Sequence, residues 1–433
     1  MKKLGIVLLA GVAVLGAAAA LVWQLNVQDE PDVSASAAAS TGAPTPAIVA
    51  RGEYLARAGD CMACHTARGG AALAGGLALA TPFGTVYTSN LTPDMETGIG
   101  TWTSAEFWRA LHNGRAKSGR LLYPAFPYTN YTKVTREDSD ALYAWLRTLA
   151  PVHQPNRPDA LRWPYNTQAA LAVWRALFFK PGTYVPDGNR TAEWNRGAYL
   201  IQGLGHCSAC HATRNVLGAT SGALDLAGGL IPVQNWYAPS LESGREAGVA
   251  DWNVPEIVEL FKTGTTRHGW VTGPMAEAVL NGTQYLSQQD LVAMAQYLKA
   301  LPGAKTSDTA SVPPPQSRVD PAVALWGARL YKENCAQCHG ATGQGVPHAY
   351  PALAGNRAVT MDSPANLVQM VLYGGFAPAT AGNPRPFGMP PFVLALNDNE
   401  IAAVLTHIRT AWGNQAAQVS NVEVAQLRGS ATP

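Results

Sequence analysis

The strongest hydrophobic pattern in the chain is an uncharged, mostly apolar run over residues 4–23, preceded by Lys2 and Lys3. A helix of this length can span the hydrocarbon core of a bilayer. Lysines on one flank favour an orientation that keeps that flank on the cytoplasmic side. The pattern predicts a membrane anchor over residues 1–27.

A cleaved signal peptide is the alternative interpretation of this N-terminal run. The alanines at 17–20 resemble a small-residue cleavage site, but residues 21–23 prolong the apolar run beyond it. A signal peptide has a shorter apolar region that ends at such a site, so a retained anchor is favoured. Residues 28–47 are rich in Ala, Ser, Thr and Pro and are predicted to form a flexible tether.

Beyond the tether, the apolar pattern predicts one series of helices three times: a short helix with a glycine, a middle helix and an apolar last helix. The glycines are Gly52, Gly197 and Gly327, and the last helices cover residues 141–149, 291–301 and 401–412. A glycine inside a helix costs about 1 kcal/mol relative to alanine. Its recurrence predicts that the first helix of each series closely contacts the last.

The middle helices carry start and stop signals. Thr103 with Glu106 and Asn253 with Glu256 have the capping-box spacing. We expect Ser363-Pro364 to open the third middle helix in the same way. Glycines, which favour a helix C-terminus, follow each helix: Gly114, Gly264 and Gly374.

Composition adds limits on function. The chain has 433 residues, enough for about three domains, and a formal net charge of +2. It lacks a long basic run, so we expect no nucleic-acid partner.

All the cysteines belong to one motif, C-x-x-C-H, which occurs three times. Its members are Cys61, Cys64 and His65; Cys207, Cys210 and His211; and Cys335, Cys338 and His339. Residues i and i+3 share a helix face, so both thiols can reach one haem while the next residue, histidine, points at the iron. The motif is the c-type haem attachment signature. A zinc ribbon or a thioredoxin-like redox pair would not need the fixed histidine.

The motifs therefore predict three covalently bound haems c in three tandem class I cytochrome c domains, an all-α fold. The predicted domains are 48–150, 190–302 and 320–425, called here the first, second and third copy. Residues 151–189 form a linker rich in proline and tryptophan, and 303–319 form a Pro-rich linker. Because haem is attached after export, we expect the periplasmic face of a bacterial inner membrane.

A sixth, axial iron ligand is predicted in two copies. Met275 and Met389 lie in proline-containing segments after the middle helices, and a thioether ligand raises the haem potential. The first copy has Phe126 at this position, and phenylalanine cannot ligate iron. His112, Met95 or an open, water-bound iron remain as alternatives there.

Longer stretches resemble the triple-haem cytochrome c subunits of membrane-bound periplasmic dehydrogenases. They include GEYLARAGDC at 52–61, TPFGTVY at 81–87, EWNRGAYL at 193–200 and WGNQ at 412–415. The resemblance implies an electron-transfer subunit that serves a catalytic dehydrogenase subunit and delivers electrons to membrane ubiquinone or a terminal oxidase.

Within that family, the loop at 123–128 is most similar to the branch that serves molybdenum hydroxylases such as aldehyde dehydrogenases. The resemblance therefore implies a partner with molybdopterin and iron–sulfur clusters. The alternative partners are a quinoprotein alcohol dehydrogenase and a flavoprotein sugar or gluconate dehydrogenase. A multihaem peroxidase that uses an open first haem is a further alternative, although it would need neither an anchor nor a third haem domain.

Overall fold

The N-terminal apolar run forms one long helix. The computed structural model describes residues 2–27, 44–220, 225–302 and 319–429, and its first helix, α1, covers Lys2–Val27. The segment Leu9–Val27 is long and apolar enough to cross a membrane, a test that a signal sequence also passes. Most of the predicted tether lies outside the described residues.

The first copy and the segment after it contain six helices and three short strands among the described residues. They are α2 Pro46–Ala58, α3 Cys61–His65, β1 Ala78–Thr81, β2 Gly84–Tyr87, α4 Ser104–Asn113, α5 Tyr128–Tyr131, α6 Arg136–Leu146, β3 Ala160–Leu161 and α7 Gln168–Phe178.

The second copy repeats this order with additions. Its elements are α8 Ala192–Tyr199, a π-helical turn Leu200–Leu204, α9 Ser208–His211, β4 Gly229–Leu230, β5 Tyr237–Ala238, α10 Val254–Thr263, α11 Pro274–Asn281, a 3₁₀ turn Thr283–Tyr285 and α12 Gln288–Lys299.

The third copy ends in a helix that the sequence pattern did not predict. Its elements are α13 Pro321–Asn334, α14 Ala336–His339, α15 Arg357–Thr360, α16 Ala365–Tyr373, β6 Gly375–Phe376, β7 Gly388–Met389, α17 Asp398–Thr410 and α18 Asn421–Gly429. In α18, Val424 is fully buried in the core of this copy and Arg428 donates to the Asp398 carboxylate at 2.6 Å. The copy thus extends beyond the predicted boundary at 425.

The first and last helices of each copy touch at the repeated glycine. A Cβ built on Gly52, Gly197 or Gly327 would lie 2.0, 2.0 or 2.2 Å from the carbonyl oxygen of Ala141, Ala293 or Ala403, respectively. No side chain fits at that separation. The prediction of close helix contact is confirmed in all three copies.

The middle helices α4 and α10 begin as predicted, each with a complete capping box, and both end at a glycine in the left-handed conformation. The expectation for the third middle helix, α16, is wrong. Its N-cap is Pro364, which provides no side-chain cap. The Ser363 hydroxyl accepts a long hydrogen bond, 3.4 Å, from the Ala365 amide instead.

The all-α prediction is confirmed in part: helices dominate, and three small antiparallel sheets accompany them in the described residues. Strand β2 pairs with β1 and β3, β4 pairs with β5, and β6 pairs with β7. These strands are two to four residues long. Such segments are too short to give an alternating apolar pattern.

The chain divides into two compact units. One contains the residues up to 56, 64–185 and 214–222, and the other contains 57–63, 186–213 and 223 onward. The segment 151–189, predicted as a linker, mostly belongs to the first unit. It supplies β3 to the sheet of the first copy and α7, which contacts α1.

Candidate haem-binding sites

Each C-x-x-C-H motif lies on one turn of helix. In the first copy, α3 consists of the motif itself, and in the other two the helix begins one residue after the first cysteine. The six cysteines form no disulfide. Each pair of thiols therefore stands on one helix face, next to a histidine.

The imidazoles of the three motifs are oriented in the same way. Nδ1 of His65 lies 2.7 Å from the Ser89 carbonyl oxygen. Nδ1 of His211 lies 2.7 Å from that of Pro239, and Nδ1 of His339 lies 3.0 Å from that of Pro351. A carbonyl only accepts, so Nδ1 carries the proton and Nε2 keeps its lone pair.

A glycine completes this arrangement. The amides of Gly75, Gly228 and Gly345 donate to the backbone carbonyls of His65, His211 and His339, at 2.7, 2.7 and 2.8 Å. All three glycines have positive φ, and a Cβ on any of them would lie 2.5 or 2.6 Å from the backbone of the segment that accepts from the imidazole. Motif, glycine and acceptor segment form one unit, called here the histidine cradle.

The protonation of the three imidazoles suits metal ligation. Burial lowers the pKa of His65, His211 and His339, and the hydrogen bond to the carbonyl opposes this only in part. A neutral imidazole with Nδ1 bonded to a carbonyl is the usual form of a metal-bound histidine. The donor set therefore fits a haem iron.

The thiols, by contrast, do not suit a thiolate metal site. Burial raises the pKa of Cys207 to about 12 and that of Cys335 to about 11, with a further rise from the neighbouring motif cysteine. Protonated thiols are poor metal ligands. Among the described residues, no group of three or more His, Cys, Asp or Glu side chains is placed to hold a metal ion. At Cys207 and Cys335, the protonated thiols disfavour a zinc thiolate site.

The two predicted axial methionines are both half-buried after a middle helix, but in different local structures. Met275 lies in the first turn of α11 and packs against a small cluster with Val271 and Val279. Met389 lies in β7 and pairs with Gly375, the second residue after α16. Neither is in a simple loop.

In the first copy, Phe126 occupies the corresponding region, half-buried, with its ring 5.3 Å from that of Tyr131. His112 is 8% exposed. Its ring stacks on Trp108 at 4.5 Å, and its Nδ1 lies 3.5 Å from the Thr132 hydroxyl. Met95 is 66% exposed. The structure thus holds His112 inside the fold and leaves Met95 at the surface.

Sequence reasoning missed the carbonyl groups that orient the imidazoles. The acceptors Ser89, Pro239 and Pro351 follow their histidines by 24, 28 and 12 residues. A backbone acceptor has no side-chain signature, and the spacing is not constant. A proline at two of the three positions is the only trace in the sequence.

The chain matches the family described as Cytochrome c over residues 49–150 and 324–412. It is 38% identical over 422 residues to the alcohol dehydrogenase (quinone) cytochrome c subunit of Komagataeibacter europaeus, covering 93% of this chain and 88% of that protein. It is also 38% identical to the gluconate 2-dehydrogenase cytochrome c subunit of Pantoea cypripedii, covering 89% and 90%.

A third relative is longer. A nicotinate dehydrogenase subunit of Pseudomonas putida is 41% identical over 393 residues, which cover 88% of this chain and 32% of that protein. With the cysteine pairs, the oriented imidazoles and these similarities, the chain belongs to the family of cytochrome c subunits of dehydrogenase complexes.

Proposed function

We propose that this chain is a triple-haem electron-transfer subunit. It passes electrons from a periplasmic dehydrogenase subunit to membrane ubiquinone or the respiratory chain. The observation that carries the proposal is the histidine cradle, which occurs in all three copies beside a pair of cysteines. When bound, haem c supplies reversible one-electron iron chemistry.

The residues of the chain divide this task between attachment and orientation. Cys61 and Cys64, Cys207 and Cys210, and Cys335 and Cys338 attach the haems, and His65, His211 and His339 are the proximal ligands. Met275 and Met389 are the sixth ligands in the second and third copies. In each cradle the backbone carbonyl keeps the proton on Nδ1, so Nε2 faces the iron without competition from protonation.

The end of α1 is held against the fold that follows it. The Asn26 side chain donates to the Ala172 carbonyl of α7 at 2.9 Å and accepts from Nε of Arg175 at 2.9 Å. Arg115 donates to the Asn26 carbonyl at 3.0 Å, where a cation suits the negative end of a helix. Asn26 and Arg175 are 8% and 2% exposed. A signal peptide cleaved after Ala20 would leave Asn26 in place, so this contact holds the start of the chain on the fold in either case. The support for a retained anchor is the length and apolar character of residues 9–27.

The catalytic partner that we propose belongs to the molybdenum type, with molybdopterin and iron–sulfur clusters, and oxidises aldehydes. The identity to the nicotinate dehydrogenase chain, 41%, is slightly above the 38% to the alcohol dehydrogenase cytochrome. The 123–128 segment, with Phe126 in place of a methionine, supports the same branch. The alternatives are a quinoprotein alcohol dehydrogenase and a flavoprotein sugar or gluconate dehydrogenase.

For the first copy, the buried His112 is the better placed of the two protein candidates, because Met95 points into solvent. The His112 ring stacks on Trp108 and contacts Thr132, and these contacts hold it in place without any iron. We therefore also propose, as the alternative to ligation by His112, an iron with no sixth ligand from the protein. In both cases the first haem lacks a thioether and has the lowest potential of the three.

Reconstitution tests the proposed function. The protein is purified from its native membrane, and the co-purifying large subunit is identified. The isolated chain should not oxidise aldehydes or alcohols with an artificial acceptor, and addition of the large subunit should reduce all three haems in the presence of substrate. Substrate oxidation by the isolated chain, or rapid haem oxidation by peroxide, would favour an enzyme instead.

A further inference from the structure

In the second copy, a residue of the third copy holds the segment that orients the proximal histidine. Strand β5, Tyr237–Ala238, directly precedes Pro239, whose carbonyl accepts from His211. The Tyr237 amide donates to Oδ1 of Asn366 at 2.8 Å, and Nδ2 of Asn366 donates to the Tyr237 carbonyl at 2.8 Å. Asn366 lies in the first turn of α16, the middle helix of the third copy. One side chain therefore satisfies both backbone groups of Tyr237.

The first copy has a corresponding clamp that comes from its own unit. Tyr87, two residues before the acceptor Ser89, donates its amide to Oδ1 of Asp159 at 3.0 Å. Asn90, one residue after Ser89, donates its amide to Oδ1 of Asn156 at 2.7 Å. Both clamping residues belong to the segment after the first copy, which is part of the same compact unit.

The third copy also clamps its acceptor segment with its own residues. Asn414, after α17, accepts from the Gly355 amide at 2.8 Å and donates to the Leu353 carbonyl at 3.0 Å. Those groups lie four and two residues after the acceptor Pro351. All three cradles are thus secured by an Asn or Asp side chain from a distant part of the sequence. In the described residues, only the second cradle takes that side chain from another copy.

A second residue of α16, Gln369, donates to the carbonyl of Asn235, two residues before Tyr237, at 3.5 Å. Further contacts between the two copies involve arginines. Arg245 pairs with Asp362 at 3.2 Å, and both side chains are exposed. Arg357 donates to the Gly248 carbonyl at 2.9 Å and pairs with the Asp251 carboxylate. These ion pairs lie at the surface, where such pairs contribute little. A variant that removes one of these ion pairs therefore tests whether a general weakening of the contact between the two copies would change the haem potentials.

We propose that Asn366 is a positioning residue for the haem of the second copy. It fixes the Pro239 carbonyl through Tyr237 and thereby sets the hydrogen bond to His211. The third copy then completes the proximal side of the second haem. This inference rests on the proposed role of His211 as an iron ligand.

The physical link is the basicity of the imidazole. A hydrogen bond from Nδ1–H to a fixed carbonyl makes the ring a stronger donor through Nε2. A stronger donor favours ferric iron and lowers the potential, and hydrogen bonding around the ligand is one of the ways in which a protein sets haem potentials. If the acceptor segment is released, this hydrogen bond weakens and the potential of the second haem rises.

The test is a spectroelectrochemical titration of the full-length holoprotein with Asn366→Ala. We expect one midpoint potential to rise while the other two stay in place. The Cys207→Ala/Cys210→Ala variant cannot attach the haem of the second copy. The midpoint potential that is missing in this variant therefore identifies the second haem. Asp251→Asn, which removes the ion pair to Arg357 in the same interface, should leave all three potentials unchanged.

A second variant covers the case in which Asn366→Ala does not fold. Asn366→Leu keeps the volume and the neutral charge of the side chain but loses both hydrogen bonds to Tyr237. We expect the same haem to shift in the same direction as in the alanine variant. Three unchanged potentials, or a shift of all three, in a protein that carries its haems would overturn the inference alone. Lack of a haem in the second copy of the native protein would instead refute the proposed function.

Discussion

Gly197 lies so close to Ala293 that a Cβ on the glycine would be 2.0 Å from the alanine carbonyl oxygen. The two residues belong to α8 and α12, the first and last helices of the second copy. Nearby, Arg196 holds Asp290 with two hydrogen bonds of 2.7 Å. The close approach of these helices thus depends on the lack of a side chain at Gly197 and on the ion pair between Arg196 and Asp290.

We expect Gly197→Ala to destabilise the second copy. Alanine would gain about 1 kcal/mol in helix propensity, but the overlap with rigid backbone costs about 1–3 kcal/mol or more. The net effect should be a lower midpoint of urea denaturation, followed by far-UV circular dichroism. Gly188→Ala is the matched control, because a Cβ there meets nothing within 4 Å. Equal midpoints for the two variants would show that the helices can move apart without loss of stability, which would contradict the prediction.

Intact-mass measurement of the exported protein should show three haem additions. Replacing both Cys335 and Cys338 by alanine should remove one addition and leave two, because each cysteine pair attaches its own haem. The absorbance of the reduced protein should fall by about one third in this variant. Fewer than three additions in fully matured native protein would contradict the assignment.

The anchor makes its own prediction. The full-length protein should need detergent for extraction, and its mass should include the N-terminal residues, because the helix over residues 9–27 is long and apolar enough to cross a membrane. A chain that starts at Ser34 and is exported by a cleavable signal peptide should be recovered from the periplasm without detergent, with its haems attached. A native protein that begins after Ala20 would establish signal-peptide cleavage and refute the anchor.

Phe126→Met tests the unusual ligation of the first copy. If Phe126 occupies the position of Met275 and Met389, the variant should gain a third His/Met haem. Since a thioether favours ferrous iron, the lowest of the three potentials should rise. Near-infrared absorbance of the ferric protein reports thioether ligation. Three His/Met haems in the native protein would instead point to Met95.

His112→Ala separates the remaining alternatives for the first haem. A change in the low-spin spectrum and potential of the first haem alone would identify His112 as the ligand. An unchanged spectrum would mean that the iron has no ligand from this side chain. In that case the loss of stacking on Trp108 should still lower stability, by about 0.5–1.5 kcal/mol, which a denaturation curve measures.

The sequence predicted those features that depend on residues close together in the chain. The C-x-x-C-H motifs and the capping boxes of α4 and α10 each involve one or two helical turns, and the structure has them all. The glycines of the helix crossings contact distant helices, and their recurrence in three copies made them predictable. The acceptor carbonyls and their clamps were not predictable in this way. Tyr237 and Asn366 are 129 residues apart, and one partner in each contact is backbone, which any residue type provides.

The contact of Asn26 with Ala172 and Arg175 has a consequence for how a membrane acceptor meets this protein. With α1 in the bilayer, the helix emerges already fastened to the first copy, which cannot swing freely about its attachment point. The height and rotation of that copy above the lipid surface are then fixed by the fold. If the proposed quinone is the acceptor, it would then meet the same face of the first copy at every collision.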